Sequence, residues 1–297
     1  MKRILITFSL LIFTSIIHGC SASSDKLTIG MIPVRDAKDL EKEFEPVKLY
    51  LEKTLNVDID IQVTDSYASL VKKMKNGTID IGWYGAFSFI AAESELNLTP
   101  LVVQQRKETG LYYQSLIITK NDSRIENIED LKDSVFAFVD AGSTSGFVLP
   151  FALFKSRNIN MEQHFKDTVF SGTHEQVLID IGNGRVDAGA ISSIQYNELI
   201  KLGKINKETY KIIWQSENIP SSPIVARSDI DNGIKQGFIE AMLNIHIQIP
   251  NELKMFDDSI VKFIEIDNKI YHPIRNIATI LGKDYMYEYF LKGECCL

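Results

Sequence analysis

The sequence predicts an α/β protein of two lobes, and three observations carry that prediction. Strand-like and helix-like segments alternate, the pattern of a sheet of parallel type with covered faces. A faint duplication runs through the chain at an offset of 107 residues: SYASLVKKMKNGTIDIGWYG (66–85) lies over THEQVLIDIGNGRVDAGAIS (173–192), so that Gly77, Asp80 and Gly82 fall on Gly184, Asp187 and Gly189. The length of 297 residues, 45% hydrophobic and 24% charged, is enough for two cores. The formal charge of −7, with no Lys/Arg stripe to offset it, argues against nucleic acid and for small ligands or proteins as partners.

The elements follow in order. Residues 1–20, MKRILITFSLLIFTSIIHGC, carry two early cations and then an apolar run, the pattern of a secretory signal. The run is short for a membrane span and leads into a polar tether, SASSD. Its end, Ile17-His18-Gly19-Cys20, resembles the lipobox of bacterial lipoproteins, which implies a signal peptide over 1–19, lipid on Cys20 and a tether over 20–26. Loss of Lys2 and Arg3 with the signal takes the charge from −7 to −9. The other cysteines, Cys295 and Cys296, are adjacent, a spacing poor for an unstrained disulfide, and with five scattered histidines they support no metal site.

LTIGMIPVRD (27–36) reads as a strand running into a loop. Leu40, Phe44, Val47, Leu51 and Leu55 then keep one apolar face of a helix. Ser66 is a good N-cap and Gly77 a good C-terminal glycine, with TIDIGW a strand behind them. SVFAFVDAGS (134–143), Thr173, Gly184 and RVDAGAI repeat that order. KIIWQ (211–215) and PIVAR (223–227) read as strands around the turn ENIPSSP, and 230–292 as largely helical with no further strand–helix alternation. The chain is expected to cross to a second lobe after SLIITKND (115–122) and to return near ENIPSSP, over a two-stranded hinge. Lobe 1 then comprises 27–118 and 222–297, and lobe 2 comprises 119–221.

In open α/β sheets, ligands bind beyond the carboxyl ends of the strands, where loops enter helix N-termini. Tyr67 and His174, 107 residues apart, each follow a helix cap and would face one another across a cleft. VDAGSTSGFVLPFALF (139–154) runs from a strand end through Ser143, Thr144, Ser145 and Gly146 into a helix. A helix N-terminus offers free N–H groups and a partial positive charge, three hydroxyls add donors, and Gly146 would let the backbone come close to an oxyanion. Plainer readings stand beside this one: STSG as a cap, Tyr67 as packing, His174 as a satisfied histidine. Trp83 and Tyr84, like Tyr112 and Tyr113, fit a cleft or a core equally well. No arginine stands in the loops so identified. Ser143 or Ser145 with His174 could be drawn as nucleophile and base, but no GxSxG elbow is present, and Glu175 beside His174 would point elsewhere.

The lipobox, LTIGMIPVRDA, SYASLVKKMKNGTIDIGWYG, YYQSLIITKNDS, STSGF and GTHEQV, in that order, resemble the phosphate/phosphite/phosphonate-binding lipoproteins of bacterial ABC importers over essentially the whole mature chain. The resemblance implies a type II periplasmic-binding-protein fold, two α/β lobes joined by a two-stranded hinge with the ligand cleft between. It implies that Ser143, Thr144, Ser145 and His174 hold a phosphonyl group from one lobe, with Tyr67, Tyr84 and Tyr113 from the other. Members that carry aminoalkyl phosphonates hold the ammonium with carboxylates, and the matching positions here are Ile194 and Ser222. The expected ligand is therefore a small oxyanion without an amine: phosphate, phosphite or methylphosphonate. A monomer, lipid-anchored on the outer side of a membrane, would deliver it to an ABC permease and its ATPase, with no cofactor and no catalysis. A binder of a phosphorylated cofactor such as thiamine pyrophosphate, and a ligand sensor for a membrane partner, are the alternatives.

Overall fold

The computed structural model describes residues 26–285 and 290–291; the signal peptide, Cys20, Cys295 and Cys296 lie outside the described residues. Strands β1 (Lys26–Met31), β2 (Asp58–Val63), β3 (Ile81–Trp83), β4 (Leu98–Arg106), β5 (Tyr112–Tyr113), β6 (Ser115–Lys120), β7 (Val135–Phe138), β8 (Asp167–Phe170), β9 (Ala188–Ser192), β10 (Tyr210–Gln215), β11 (Ile219–Pro220), β12 (Pro223–Arg227) and β13 (Ile260–Glu265) form three sheets. One has the order β13-β4-β12-β3-β1-β2, the second β10-β6-β9-β7-β8, and the third is the ribbon β11-β5.

The duplication is visible in atoms. Helices Tyr67–Lys75 and His174–Gly182 are 107 residues apart, capped by the Ser66 and Thr173 hydroxyls, which accept from the amides of Ser69 (3.1 Å) and Gln176 (3.0 Å). The Asp80 carboxylate accepts from the Thr28 amide and the Asp187 carboxylate from the Val135 amide, both at 2.8 Å, so each aspartate ties the entry of one strand to the start of the next. Gly77 and Gly184 both take positive φ, 80° and 70°, where a side chain would be strained. The same offset relates β5 to β11 and β6 to β12, which extends the repeat through the hinge.

The expected parallel sheet is corrected to a mixed one. β2, β1 and β3 are parallel, as are β8, β7 and β9, but β12 runs antiparallel between β3 and β4, and β6 antiparallel between β9 and β10. The reason is the hinge: each antiparallel strand is the first after the chain crosses, entering from the opposite end. β6 lies whole in the second sheet, so the crossing falls at the β5/β11 ribbon rather than after residue 118, inside β6. A further correction is β13, within the stretch read as helical. A register shift against β4 between Ile260 and Lys262 leaves Ile260 and Phe263 as its buried residues, three apart, and that spacing imitates a helical period.

Helix Ala37–Leu55 starts at Asp36, whose side chain accepts from the amides of Lys38 and Asp39, and buries Leu40, Phe44, Val47 and Leu51 as its period requires. At the other end of the chain, helix His272–Asp284 returns to the first sheet's side, with Arg275 bridging Glu93 at 2.6 Å. Tyr285 beyond it stacks on Phe147, and its hydroxyl donates to the Ala141 carbonyl at 2.9 Å, bracing the 141–147 loop from behind.

Gly189 pairs with Ala137 on β7, and a Cβ there would stand 2.6 Å from Val177 and 2.9 Å from the Ala137 carbonyl. Because a backbone atom cannot swing away, Gly189→Ala is expected to lower the unfolding free energy by about 1–3 kcal/mol, read as a lower urea midpoint at unchanged slope.

Candidate functional site

One cleft between the two large sheets collects Tyr67, Trp83, Gly85 and Tyr113 from the first side and the ribbon, and Ser143, Thr144, Ser145, His174, Ser192 and Ile194 from the second. Each is held there by its local chain. Past β7 the backbone makes a π-helical turn, Thr144–Val148, before helix Leu149–Ser156, and such turns offer backbone and hydroxyl groups that a regular helix would hide. Ser143 caps it, its hydroxyl accepting from the Gly146 amide at 3.0 Å. The plain cap reading thus holds for Ser143. At Gly146 a Cβ would lie 2.4 Å from Val139, so packing of the turn on its own strand requires a glycine there.

Across the cleft the two lobes touch through polar groups. The Phe87 amide, at the start of helix Ala86–Glu93, donates to Thr144 Oγ1 at 2.8 Å. The Tyr67 amide donates to the Asp140 carboxylate at 3.3 Å, so that the free N-terminus of helix Tyr67–Lys75 faces an anion supplied by the other lobe. Asp140 was not singled out in the sequence. Burial raises its pKa, opposed by the amides of Gly142 and Tyr67.

The tyrosines meet the hydroxyl turn. Burial raises the pKa of Tyr67, with Asp140 adding to the rise and the Ser143 hydroxyl opposing it. Tyr113 is pushed up to about 12 by burial, against hydrogen bonding from Thr144 and Ser145. Both phenols are therefore neutral donors at any physiological pH. His174 is fully buried at the N-terminus of its helix, and burial pulls its pKa down to about 3. Its Nδ1 accepts from the Ser192 amide at 3.1 Å, which places the ring proton on Nε2. The imidazole is an uncharged donor.

Tyr84 is corrected. It is fully buried, its hydroxyl lies 3.1 Å from Met74 Sδ, and it does not line the cleft; Trp83 and Gly85 do. Past the short β3, the side chain turns under helix Tyr67–Lys75 against Met74. Tyr112 is exposed on the ribbon while its neighbour Tyr113 faces the cleft. Ile194 and Ser222 both line the cleft. Glu175 points away from His174 to Lys204, at 3.1 Å.

The sequence reading also missed cations. Arg35 and Arg106 line the cleft with Gln104, Glu198 and Asp257. Arg35 pairs with Glu43, and with Glu198 of the other lobe at 3.4 Å; Arg106 pairs with Asp257 at 2.6 Å. Arg35 lies in the loop that follows β1, and Arg106 at the end of β4.

The family model of the ABC transporter phosphonate periplasmic substrate-binding protein matches residues 29–271. The phosphonates-binding periplasmic protein of Escherichia coli (strain K12) is 29% identical over 223 residues, 73% of this chain; the match spans 65% of the length of that protein. The probable ABC transporter phosphite binding protein of Prochlorococcus marinus (strain MIT 9301) is 25% identical over 297 residues, 95% of this chain and 98% of its own. Its solved structure, in complex with methylphosphonate, superposes with a TM-score of 0.77 at 23% identity, covering 87% of this chain and 98% of that one. A binding protein component of an ABC phosphonate transporter from Pseudomonas aeruginosa superposes with a TM-score of 0.79 at 23% identity, over 90% and 93% of the two chains. Fold and family model agree: the two lobes are those of a type II periplasmic binding protein, and the chain belongs to the family of periplasmic phosphonate-binding proteins of ABC transporters.

Proposed function

We propose that this cleft captures a small phosphorus oxyanion without an amine, phosphate, phosphite or methylphosphonate, and delivers it to an ABC permease. The observation that carries the reading is a set of buried, uncharged donors from both lobes around one cleft: the hydroxyls of Ser143, Thr144, Ser145, Tyr67 and Tyr113 and the Nε2–H of His174. Charge-assisted hydrogen bonds from neutral donors compensate an anion while letting it leave. Lobe 1 runs to β5 and resumes at β12, lobe 2 is the chain between, and closure bends the β5/β11 ribbon. The Prochlorococcus relative in complex with methylphosphonate supports the ligand class. Ile194 and Ser222 leave an ammonium without carboxylates at the positions expected to hold it, and the two carboxylates that do line the cleft face arginines.

Binding without chemistry fits the same geometry. A serine hydrolase needs an imidazole nitrogen free to take the serine proton, whereas His174 Nδ1 already accepts from Ser192 and Nε2 carries hydrogen. We place the lipid on Cys20, on the outer side of a membrane, with the chain acting as a monomer. Labelled palmitate should enter the wild-type protein and not Cys20→Ser.

The direct test is titration calorimetry on the chain from Ser21, stripped of ligand by unfolding and refolding, against phosphate, phosphite, methylphosphonate and 2-aminoethylphosphonate. One of the first three is expected to bind tightly and the amine weakly; heat from none of the four overturns the reading. Thr144→Ala and His174→Ala are each expected to weaken binding by about 1–3 kcal/mol, while Tyr84→Phe leaves it unchanged. Retained affinity in both of the first pair removes the cradle.

The neutral state of His174 has its own signature. An unfolded histidine takes a proton near pH 6.5, and the buried ring resists it down to about 3. The stabilising contribution is therefore complete above pH 6.5 and is lost as pH falls from there. Urea unfolding free energies of the wild type should drop more steeply between pH 6.5 and 4 than those of His174→Gln; parallel curves would mean a solvated imidazole.

A further inference from the structure

The cradle of hydroxyls and imidazole is uncharged, yet the same cleft has a charged wall. Arg35, Gln104 and Arg106 are buried on the lobe 1 side, and each keeps a buried polar atom with no hydrogen-bond partner among the described residues: Arg35 Nη1, Gln104 Oε1 and Arg106 Nε. An unsatisfied buried donor or acceptor is costly, and three on one cleft wall mark a place where a bound molecule completes the bonding. The rest of each group is occupied. Arg35 holds Glu43 and Glu198, and Arg106 holds Asp257 and the Ser259 hydroxyl.

The free atoms define the chemistry that fits. Two guanidinium N–H groups call for an acceptor and disfavour an ammonium. Three carboxylates, Glu43, Glu198 and Asp257, outnumber the two arginines, so the wall offers no net positive charge to a carboxylate. The Gln104 amide calls for a group that can donate, and accepts one that can do both whichever way it is turned. A hydroxyl can both accept from a guanidinium and donate to an amide oxygen, and it costs less to desolvate than a charged group.

Resting on the oxyanion reading of the cradle, we propose that Arg35, Gln104 and Arg106 form a second subsite for an uncharged hydroxyl on a ligand's carbon substituent, so that among phosphonates with a chain longer than methyl the cleft selects small hydroxyalkyl ones.

The test compares two ligands of matched shape, 2-hydroxyethylphosphonate and ethylphosphonate, by calorimetry on the chain from Ser21, with phosphate and 2-aminoethylphosphonate alongside. The hydroxyl compound is expected to bind about tenfold or more tightly than ethylphosphonate, as two hydrogen bonds to buried partners would give. Gln104→Leu should collapse that ratio towards one. Equal binding of the pair by the wild type overturns the subsite while leaving the oxyanion cradle standing, since it means that water completes the wall. A preference for the amine also overturns it. Failure of all phosphonates and of phosphate overturns the cradle and the subsite together. The wild-type ratio decides the matter even if Gln104→Leu does not fold.

Discussion

Polar groups that the two lobes bury between them leave water, and each one left without a partner carries a cost. This constraint shapes the whole site. Thr144 Oγ1 takes the Phe87 amide, Asp140 takes the Tyr67 amide, and His174 Nδ1 takes the Ser192 amide. Each of these bonds fixes which atoms remain for a ligand: hydrogens on Nε2 and on the hydroxyls. Burial then does the remaining work, holding the imidazole unprotonated and the phenols protonated. A cationic histidine would bind an oxyanion more strongly, but its affinity would move with pH through the physiological range. The buried ring avoids that dependence.

The duplication supplies the two walls cheaply. One pattern of strand, loop, capped helix and strand, used twice, puts two helix N-termini and two strand-end loops face to face. The walls differ because the loops differ. Where the second unit has the hydroxyl turn at 143–146, the first has the loop that carries Arg35, so the cradle and the charged wall stand at equivalent places in the two units. The exchange of β6 and β12 across the hinge ties the units into one body: each lobe's sheet is completed by a strand that has just come from the other lobe.

Much of this was legible in the sequence, for a physical reason. The 107-residue repeat is written in glycines and aspartates whose roles are backbone-level, positive φ at Gly77 and Gly184 and strand-end caps at Asp80 and Asp187, so few substitutes would serve. Ser143, Thr144, Ser145 and His174 lie next to such marks and could be placed from them. What escaped was set by tertiary context. Tyr84 turns into the core because β3 is short and Met74 waits there, which no period encodes. β13 carries a bulge that breaks its alternation. Arg106 sits at the end of β4, whose fully apolar middle reads as a buried segment of either kind, and its partner Asp257 is far along the chain.

The charges across the cleft bear on what drives closure. Lys204 reaches Asp39 of the other lobe at 2.8 Å, but both are at the surface, where solvent screens such a pair and it adds little. Arg35 and Glu198 are buried together, and the balance there is adverse: burial pushes the Glu198 pKa up to about 7 even with Arg35 lowering it. That carboxylate is less comfortable in the cleft than in water, so the pair sets the register of the two lobes without pulling them together. Its sign follows from the shift. A raised carboxylate pKa favours the closed lobes at low pH and weakens closure as pH rises from the ordinary carboxylate range through about 7. Neither kind of ion pair can therefore hold the lobes shut alone; under the proposed function, binding in the cradle adds to the inter-lobe hydrogen bonds. A carrier built on this principle closes on its cargo and opens once the cargo has gone, which is the behaviour a delivery protein needs.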